Sequence, residues 1–337
     1  MVPSDNKINA SFAAQMPDYG GISVISQSGA LCTAILDWAA ERHLGLGKLV
    51  SIGNKAELNE TDFLKAFAED EQTKVIVAYL ESIISGDEFI KAAEEAATKK
   101  PVVILKAGTT KAGAKAASSH TGSLAGGDTA YGAAFKRCGV IRADGFEQLF
   151  DYATALLMQP IPKGKRLAII TNAGGPGIMA ADAAEKAGFQ VGSLSADASD
   201  ALKKVLPASA SVGNPIDVLG DADADRYAAA VKAAEEDEEV DAIIVLLTPQ
   251  AMTHAKETAL AVAEYAKNGK KPILASFMGG EEVKPGREQL VECQLPDFPS
   301  PERAVDALRA MTEYAAWKQR PPRKVTRFPV NRRRVER

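Results

Sequence analysis

The feature that most constrains this chain is the repeated order of a short apolar run, a turn and an amphipathic segment. Runs such as Val75–Leu80 are apolar throughout instead of alternating with polar residues. Continuous apolar strands are typical of parallel sheets that are covered on both faces, and the helices between such strands cross over with a right-handed sense. The pattern therefore predicts an α/β protein made of flavodoxin-like, doubly wound parallel sheets.

A turn-rich segment, Gln159–Gly164, interrupts this pattern, and the pattern starts again after it. At roughly 150 residues per domain, a chain of 337 residues corresponds to two domains. We therefore expect two consecutive domains with a short segment on each side. Their limits are 1–19 for an N-terminal extension, 20–160 and 161–320 for the two domains, and 321–337 for a basic linker or tail.

The same pattern bounds the individual strands. Gly, Ser, Thr and Lys are frequent between Ala107 and Gly127, so an irregular loop is expected there. Apolar runs bounded by turn residues give the strands on either side. They are 22–26, 49–52, 75–80, 101–106 and 140–141 in the first half, and 166–171, 190–194, 242–248 and 272–277 in the second.

Composition excludes several classes of protein. The formal net charge is −4, from 40 basic and 44 acidic residues, which does not support nucleic-acid binding. Cys32, Cys138 and Cys293 are far apart and form no CxxC pair, so neither a disulfide framework nor a structural metal site is indicated. No run approaches the roughly 18 apolar residues of a membrane span, and the N-terminus lacks the regions of a signal peptide. We expect a soluble cytoplasmic protein without a bound metal.

Two junctions between a strand and a helix have the composition of anion sites, because free N–H groups point outward at the start of a helix. In the first, Ser28 is positioned to cap a helix, and the amides of Gly29 and Ala30 are free to meet an anion. An ordinary capped helix is an equally good interpretation of this segment. The flanks of Ser28 lack the two glycines of a nucleophile elbow, so a hydrolase serine is not indicated.

The second junction is Thr171–Gly177, where consecutive glycines permit a close approach of the backbone to a ligand. Gly175–Ala180 also fits a loose dinucleotide fingerprint, with Asp197 near the position of the acid that such sites require. A dinucleotide-binding oxidoreductase is therefore a rival hypothesis. The glycines with candidate phosphate contacts are Gly174, Gly175 and Gly177.

A third segment carries one of only three histidines, His120, between the hydroxyl groups of Ser119 and Thr121. A histidine in a loop is often a solvent-exposed bystander. Small neighbours leave this imidazole accessible, however, and histidine can act as a covalent nucleophile when a carboxylate or carbonyl fixes its tautomer. Glu81 ends a buried strand next to this segment and is the candidate orienting group, although a solvent-exposed residue at a helix entry is a comparable interpretation.

Five motifs occur in a fixed order along the chain. In that order they resemble the motifs of the ADP-forming acyl-CoA synthetases, such as acetate–CoA ligase (ADP-forming). Those enzymes are relatives of succinyl-CoA synthetase. The resemblance covers nearly the whole chain and implies a succinyl-CoA ligase-like fold. The motifs are Ser26–Ala30, Gly53–Ala56, Ser119–Gly126, Asn172–Gly177 and Asn214–Asp217.

The resemblance implies a reaction in which acyl-CoA, ADP and phosphate interconvert with a carboxylate, CoA and ATP. A phosphoryl group passes from an acyl phosphate to a histidine, which His120 matches, and then to ADP. Glu81 matches the acid that holds the imidazole, and the helix starts at Ser28–Gly29 and Gly174–Gly177 match the pair that binds the phosphohistidine. Further residues within the shared motifs are Asn54, Lys55, Asn214 and Asp217.

The resemblance also implies partners. Members of this kind use a CoA-binding domain and an ATP-grasp domain that binds Mg²⁺, in the same chain or in another subunit. CoA, ADP or ATP, phosphate and a small carboxylic acid are then substrates, and no tightly bound cofactor is expected. This chain resembles the central piece, which alone is not expected to complete the reaction. A non-catalytic regulatory or ligand-binding module of the same fold is the runner-up, and a homo-oligomer is left open.

Overall fold

A computed structural model describes residues 2–3, 8–10, 16–121 and 127–321, with only the backbone described at Val2, Pro3, residues 118–121 and Asn268. Within these residues, strands and helices alternate along most of the chain and form two sheets. No helix in the described ranges is long and apolar enough to cross a membrane. Most of the N-terminal extension predicted at 1–19, and the tail after Pro321, lie outside the described residues.

The first sheet has six strands in the order β1-β3-β2-β4-β5-β6, and only the pairing of β1 with β3 is antiparallel. Without β1 the order is that of flavodoxin-like sheets, in which the first and third strands of the fold are neighbours. The strands are β1 (Val2–Pro3), β2 (Tyr19–Ser26), β3 (Leu46–Ser51), β4 (Val75–Leu80), β5 (Val102–Lys106) and β6 (Ile141–Ala143). The helices are α1 (Gly29–Glu41), α2 (Glu60–Glu69), α3 (Gly86–Lys99), α4 (Lys111–Thr121), α5 (Asp128–Cys138) and α6 (Phe146–Met158).

The second sheet has four parallel strands in the order β10-β9-β7-β8, which is the same winding with one strand fewer. The strands are β7 (Leu167–Thr171), β8 (Ile216–Asp217), β9 (Ala242–Leu247) and β10 (Ile273–Phe277). The helices are α7 (Gly174–Lys186), α8 (Ala196–Val205), α9 (Ala224–Glu236), α10 (Ala255–Asn268), α11 (Lys284–Glu292) and α12 (Pro301–Gln319). The predicted fold of two parallel-sheet α/β domains is confirmed.

Helix α12 joins the two domains, because it packs against α6 of the first and α7 of the second. The Arg303 guanidinium forms an ion pair with Asp151 on α6, with Nε 2.7 Å from Oδ2. The Tyr314 hydroxyl donates to the Ala97 carbonyl at 2.9 Å. Buried apolar residues of both domains belong to one continuous cluster around this helix. The two domains therefore share part of their hydrophobic core, which fixes their relative position.

The strand predicted at Gln190–Leu194 is wrong, because only Gln190 forms a bridge and the following residues are irregular. A side chain takes the place of the missing backbone ladder. The Asn214 amide donates to the carbonyls of Leu167 at 2.6 Å and Gly192 at 2.9 Å. Since one side chain already satisfies these carbonyls, the edge of β7 does not need a second regular strand at this point.

The irregular loop predicted between Ala107 and Gly127 is also wrong for most of its length, since α4 occupies Lys111–Thr121. Alanine and lysine predominate in α4, and both are strong helix formers. Thr110 supports the start of the helix, because its hydroxyl accepts the Gly113 amide at 3.1 Å. Residues 122–126 lie outside the described part of the chain.

Candidate functional site at the carboxyl end of the first sheet

The first sheet changes its winding direction between β2 and β4, which are parallel neighbours. Ligands of doubly wound sheets bind at the carboxyl ends of the strands at such a switch point. The residue that follows β2 is Gln27, and the residue that follows β4 is Glu81. Both are buried, although polar residues after a strand commonly face solvent. The candidate site is therefore the crevice between these two strand ends.

Gln27 fixes the amide groups of the turn after β4. Its Oε1 accepts the Glu81 amide at 2.7 Å and the Ser82 amide at 3.0 Å, and its Nε2 donates to the Ser82 hydroxyl at 2.9 Å. One side chain thus satisfies two backbone donors that have no partner in a strand or helix. The interaction connects the two strand ends across the switch point.

Two lysines fix the carbonyl groups of the same turn. Lys106 Nζ, at the end of β5, donates to the Glu81 carbonyl at 2.7 Å, and Lys55 Nζ donates to the Ser82 carbonyl at 2.6 Å. Lys55 also forms an ion pair with Glu60 Oε2 at 2.7 Å, and both of these side chains are almost fully buried. Every backbone polar group of Glu81 and Ser82 is therefore bonded to a side chain at the end of another strand or in the segment that follows one. This set of residues, Gln27, Lys55 and Lys106, is called the clamp below.

The carboxyl group of Glu81 is the part of this turn that the clamp leaves available. Glu81 is 9% exposed, and its buried Oε2 has no hydrogen-bond partner among the described residues. Its Oε1 has only a long contact of 3.5 Å with the Tyr79 hydroxyl, whose pKa is raised by burial and by the charge of Glu81. A buried carboxylate oxygen without a donor is costly, so this oxygen is suited to hold a donor that arrives with another group.

Helix α4 contains His120 in its last turn, and Gly108 lies between Ala117 of this helix and the Glu81 carbonyl. Gly108 has a φ of 74°, and a Cβ at this position would lie 3.2 Å from Ala117 Cβ and 4.0 Å from the Glu81 carbonyl oxygen. The close approach of Ala117 on α4 to residue 108 thus depends on a glycine at that position. The side chains of Ser119, His120 and Thr121 lie outside the described residues, so their roles remain predictions.

The start of α1 has the form that the sequence predicts. Ser28 is its N-cap, and the Ser28 hydroxyl accepts the Leu31 amide at 3.3 Å. The Ser26 hydroxyl accepts the Ser28 amide at 3.1 Å and donates to the Ser28 carbonyl at 2.9 Å. The first-turn amides of Gly29 and Ala30 have no acceptor within the helix, as at any helix start. The first turn contains no acidic residue, so its positive end faces the crevice uncompensated.

The second domain repeats this arrangement at the start of α7. The Thr171 hydroxyl accepts the Ala173 amide at 3.1 Å and donates to the Ala173 carbonyl at 2.8 Å, as Ser26 does for Ser28. Asn172 Oδ1 accepts the Thr248 amide at 2.9 Å, as Gln27 does for Glu81. Thr248 thus occupies in the second domain the position of Glu81 in the first, and its side chain is a hydroxyl instead of a carboxylate.

The glycines of α7 divide into two kinds. A Cβ at Gly174 or Gly175 would meet no atom within 4 Å, and both residues are exposed. A Cβ at Gly177 would lie 3.1 Å from Thr171 Cγ2 and 3.5 Å from Pro215 Cβ. Gly177 therefore serves the packing of the helix on the sheet, whereas the open surface above the first two glycines is accessible to a ligand.

The remaining predicted site residues lie in different environments. Lys55 and Asn214 make buried or strand-edge contacts that hold backbone in place, and Asp217 lies opposite Thr171 at the end of β8 and accepts the Leu219 amide at 2.9 Å. Asn54 is exposed. In the described part of the chain, no hydrogen bond or ion pair connects the first turn of α1 with that of α7.

Sequence reasoning missed Gln27 and Lys106. Their signal was a polar residue directly after, or at the end of, a buried apolar strand. The dinucleotide hypothesis is not supported, because it requires an acid at the end of a second strand. Asp197 instead lies in the first turn of α8, and residues 191–195 form no strand.

Comparisons with known proteins identify the relatives of this chain. A family model described as the succinyl-CoA ligase like flavodoxin domain matches residues 19–156, and one described as the ligase-CoA domain matches residues 167–321. The chain is 42% identical over 315 residues to acetate–CoA ligase (ADP-forming) I of Archaeoglobus fulgidus, covering 94% of this chain and 45% of that protein. It is 41% identical over 317 residues to the alpha subunit of acetate–CoA ligase (ADP-forming) I of Pyrococcus furiosus, covering 93% and 68%.

A relative named 4-hydroxybutyrate–CoA ligase (ADP-forming), from Nitrosopumilus maritimus, is 39% identical over 338 residues, and the match covers 48% of that protein. The chain thus spans about half the length of the longer curated relatives that it matches. Among solved structures, a dinucleotide forming acetyl-coenzyme A synthetase 1 of Ca. Korarchaeum cryptofilum, in complex with phosphate and ADP, superposes with a TM-score of 0.89. Its sequence identity is 36%, and the match covers 94% of this chain and 69% of that one.

Proposed function

Because this chain belongs to the family of ADP-forming acyl-CoA ligases, we propose that it forms the phosphohistidine-bearing core of such an enzyme. The overall reaction converts acyl-CoA, ADP and phosphate into a carboxylate, CoA and ATP. In the step assigned to this chain, an imidazole nitrogen of His120 attacks the phosphorus of an acyl phosphate. The bond between phosphorus and the carboxyl oxygen breaks, a P–N bond forms and the carboxylate leaves. ADP then takes the phosphoryl group from His120.

One observation carries this proposal: the buried Glu81 carboxylate at the switch point, whose Oε2 has no partner among the described residues. An imidazole that attacks phosphorus with one nitrogen needs its other N–H held by an acceptor, which fixes the tautomer and the ring orientation. Glu81 Oε2 is an acceptor of this kind, and the clamp holds its backbone in one position. The backbone of His120 belongs to α4, whose Ala117 lies close to Gly108, which in turn neighbours the Glu81 carbonyl.

The negative charge of the phosphoryl group requires compensation, and the two helix starts supply it. Free amides at the start of α1, at Gly29 and Ala30, and of α7, at Gly174 and Gly175, are suited to bind phosphate oxygens. We assign both helix starts to the phosphohistidine, as the pair that binds its phosphoryl group. The hydroxyl groups of Ser28, Ser119 and Thr121 are further proposed donors, and Gly177, Asn54, Lys55, Asn214 and Asp217 are proposed to shape the two crevices.

The substrates and partners follow from the family. We propose that the chain works with a CoA-binding domain and with a Mg²⁺-dependent ATP-grasp domain, on the same polypeptide or in another subunit. Relatives named for acetate and 4-hydroxybutyrate indicate a small carboxylic acid as the acyl group. CoA, ADP or ATP and phosphate act as substrates, and the cytoplasm supplies them. We propose domain limits of 20–160 and 161–320 for the two parts of this core.

An isotope-exchange assay tests the proposal without the other domains. The purified chain is incubated with unlabelled acetyl phosphate and radiolabelled acetate, without CoA or nucleotide. If His120 accepts the phosphoryl group reversibly, label enters acetyl phosphate, because the labelled carboxylate takes the phosphoryl group back from the phosphoenzyme. His120→Asn abolishes the exchange, and Glu81→Gln slows it by about 10- to 100-fold, the usual effect of losing an orienting partner. Absence of exchange in the unaltered chain, or unchanged exchange in His120→Asn, contradicts the proposal.

A further inference from the structure

Lys106 is a buried cation whose partners are backbone carbonyl groups. It ends β5, is 4% exposed, and its Nζ donates to the carbonyls of Glu81 at 2.7 Å and Ala107 at 2.5 Å. The ammonium also lies 4.4 Å from the centre of the Tyr131 ring, in a cation–π contact. No carboxylate in the described residues forms a salt bridge with it. The structure therefore retains a charge in a place where burial alone disfavours it.

The electrostatic surroundings of Lys106 oppose its charge. Burial is the largest cause and the nearby charge of Lys55 the next, and together they lower the pKa of Lys106 to about 8, against the attraction of Glu81. Arg142 on β6 lowers this pKa further, and Asp128 on α5 raises it. A lysine with these neighbours changes its charge within a pH range that an enzyme assay can cover.

We propose that Lys106 is a positioning residue for phosphoryl transfer. It holds the carbonyl of Glu81 while Gln27 holds the amide, so that the carboxylate keeps one direction toward His120. The inference rests on the proposed function of His120 and Glu81, and it adds a requirement for the protonated ammonium. Charge-assisted hydrogen bonds are about twice as strong as neutral ones, so the neutral amine holds the turn less firmly.

Substitution by a residue of similar shape without a donor tests this role. In Lys106→Met, the carbonyls of Glu81 and Ala107 lose their donor, and the turn gains freedom to move. We expect the rate of acetate–acetyl phosphate exchange to fall by about 10- to 100-fold, the range for loss of a partner that orients an active group. The phosphoryl group still reaches His120, only more slowly, so an adduct accumulates at long times.

The pH profile distinguishes positioning by charge from a structural role. In the unaltered chain, the exchange rate falls as pH rises through about 8, where Lys106 loses its proton. Lys106→Met removes this fall, because no titrating group remains at the position. Lys106→Arg stays charged, so the fall is again absent below pH 10, although the planar guanidinium does not reproduce the geometry and the rate is lower.

Lys100 supplies a matched control near the other end of β5. It lies two residues before that strand, and its Nζ donates to the carbonyls of Phe67, at 2.8 Å, and Asp70. It is thus also a partly buried lysine bonded to two carbonyls, but at the opposite end of the sheet. Lys100→Met is expected to leave the exchange rate and its pH profile unchanged.

The outcomes separate the two proposals. If the unaltered chain exchanges no label, the proposed function fails and Lys106 has no reaction to assist. If it exchanges label and Lys106→Met matches it in rate and pH profile, the positioning role is overturned while the proposed function stands. If Lys106→Met does not fold by circular dichroism, Lys106→Arg decides, because a fall in rate that persists near pH 8 in that variant overturns the role.

Discussion

The buried ion pair between Lys55 and Glu60 gives a prediction whose magnitude follows from the structure. The two side chains are 3% and 1% exposed, and Nζ lies 2.7 Å from Oε2. In Lys55→Met the Glu60 carboxylate keeps, among the described residues, only the Ile84 amide, at 3.1 Å, as a hydrogen-bond partner. Breaking a buried pair from one side costs about 3–5 kcal/mol, because the remaining charge is left uncompensated.

A double variant tests whether the uncompensated charge is the cause. Glu60→Gln keeps an oxygen for the Ile84 amide and removes the negative charge. We therefore expect Lys55→Met/Glu60→Gln to be more stable than Lys55→Met alone, by about 2 kcal/mol, because no buried charge remains unpaired. The exposed pair Lys203–Asp200, with side chains 60% and 64% exposed, is the control, and Lys203→Met costs less than about 0.5 kcal/mol.

The assay is urea unfolding. Two probes monitor it: the fluorescence of Trp38 on α1 and the hydrogen exchange of the Ser82 amide. Trp38 packs against Phe150 in the core of the first domain, with ring centres 4.4 Å apart, so its signal reports that domain. If a variant changes only the stability, the urea concentration at the midpoint of unfolding shifts, and the slope of the unfolding free energy against urea concentration stays the same. The reasoning is refuted if Lys55→Met unfolds within about 1 kcal/mol of the unaltered chain, or if the double variant is less stable than Lys55→Met.

Three further predictions concern single residues. Gly139→Ala lowers the free energy of unfolding by about 2–4 kcal/mol, because a Cβ there would lie 2.2 Å from Trp317 Cε2 and the φ of residue 139 is 76°. A melting temperature equal to that of the unaltered chain contradicts this. Gln27→Ala slows acetate–acetyl phosphate exchange more than Gln27→Glu does, because only glutamate keeps an acceptor for the two amides after β4; equal rates contradict the clamp. Burial raises the pKa of Asp297 to about 7, so the folded state binds a proton more tightly than the unfolded state, and its contribution to stability is lost as pH rises from about 4 to 7. Asp297→Asn flattens this part of the stability profile, by up to about 4 kcal/mol, in urea unfolding at each pH; an identical pH dependence contradicts it.

Local composition predicted most of the fold. Strand β4 has the bounds that its apolar run indicates, Val75–Leu80, and α1 begins directly after the cap predicted at Ser28. These elements are specified by neighbours in sequence. The strand predicted at Gln190–Leu194 failed for a non-local reason, because a side chain from Asn214 bonds the edge of β7 instead. The residues near position 190 give no indication that the Asn214 side chain bonds there.

The candidate site divides in the same way. The cap at Ser28 and the glycines of α7 were predictable, since a helix start is a local feature. The clamp was not, because it depends on the sheet order that brings the ends of β2, β3 and β5 around the end of β4. In the sequence, Lys106 is a lysine at the end of an apolar run, and nothing beside it indicates that its ammonium bonds the Glu81 carbonyl. The roles of His120, Ser119 and Thr121 remain predictions that chemistry must test.

The most direct test of the central claim is the position and chemistry of the phosphoryl group. The purified chain is incubated with acetyl phosphate, its intact mass is measured, and the adduct is located by peptide mapping with and without acid treatment. The account predicts a single phosphoryl group on His120 that is lost in acid, survives base as a phosphoramidate does, and is absent from His120→Asn. An adduct that resists acid, maps to another residue or persists in His120→Asn would show that this chain does not transfer phosphate through His120.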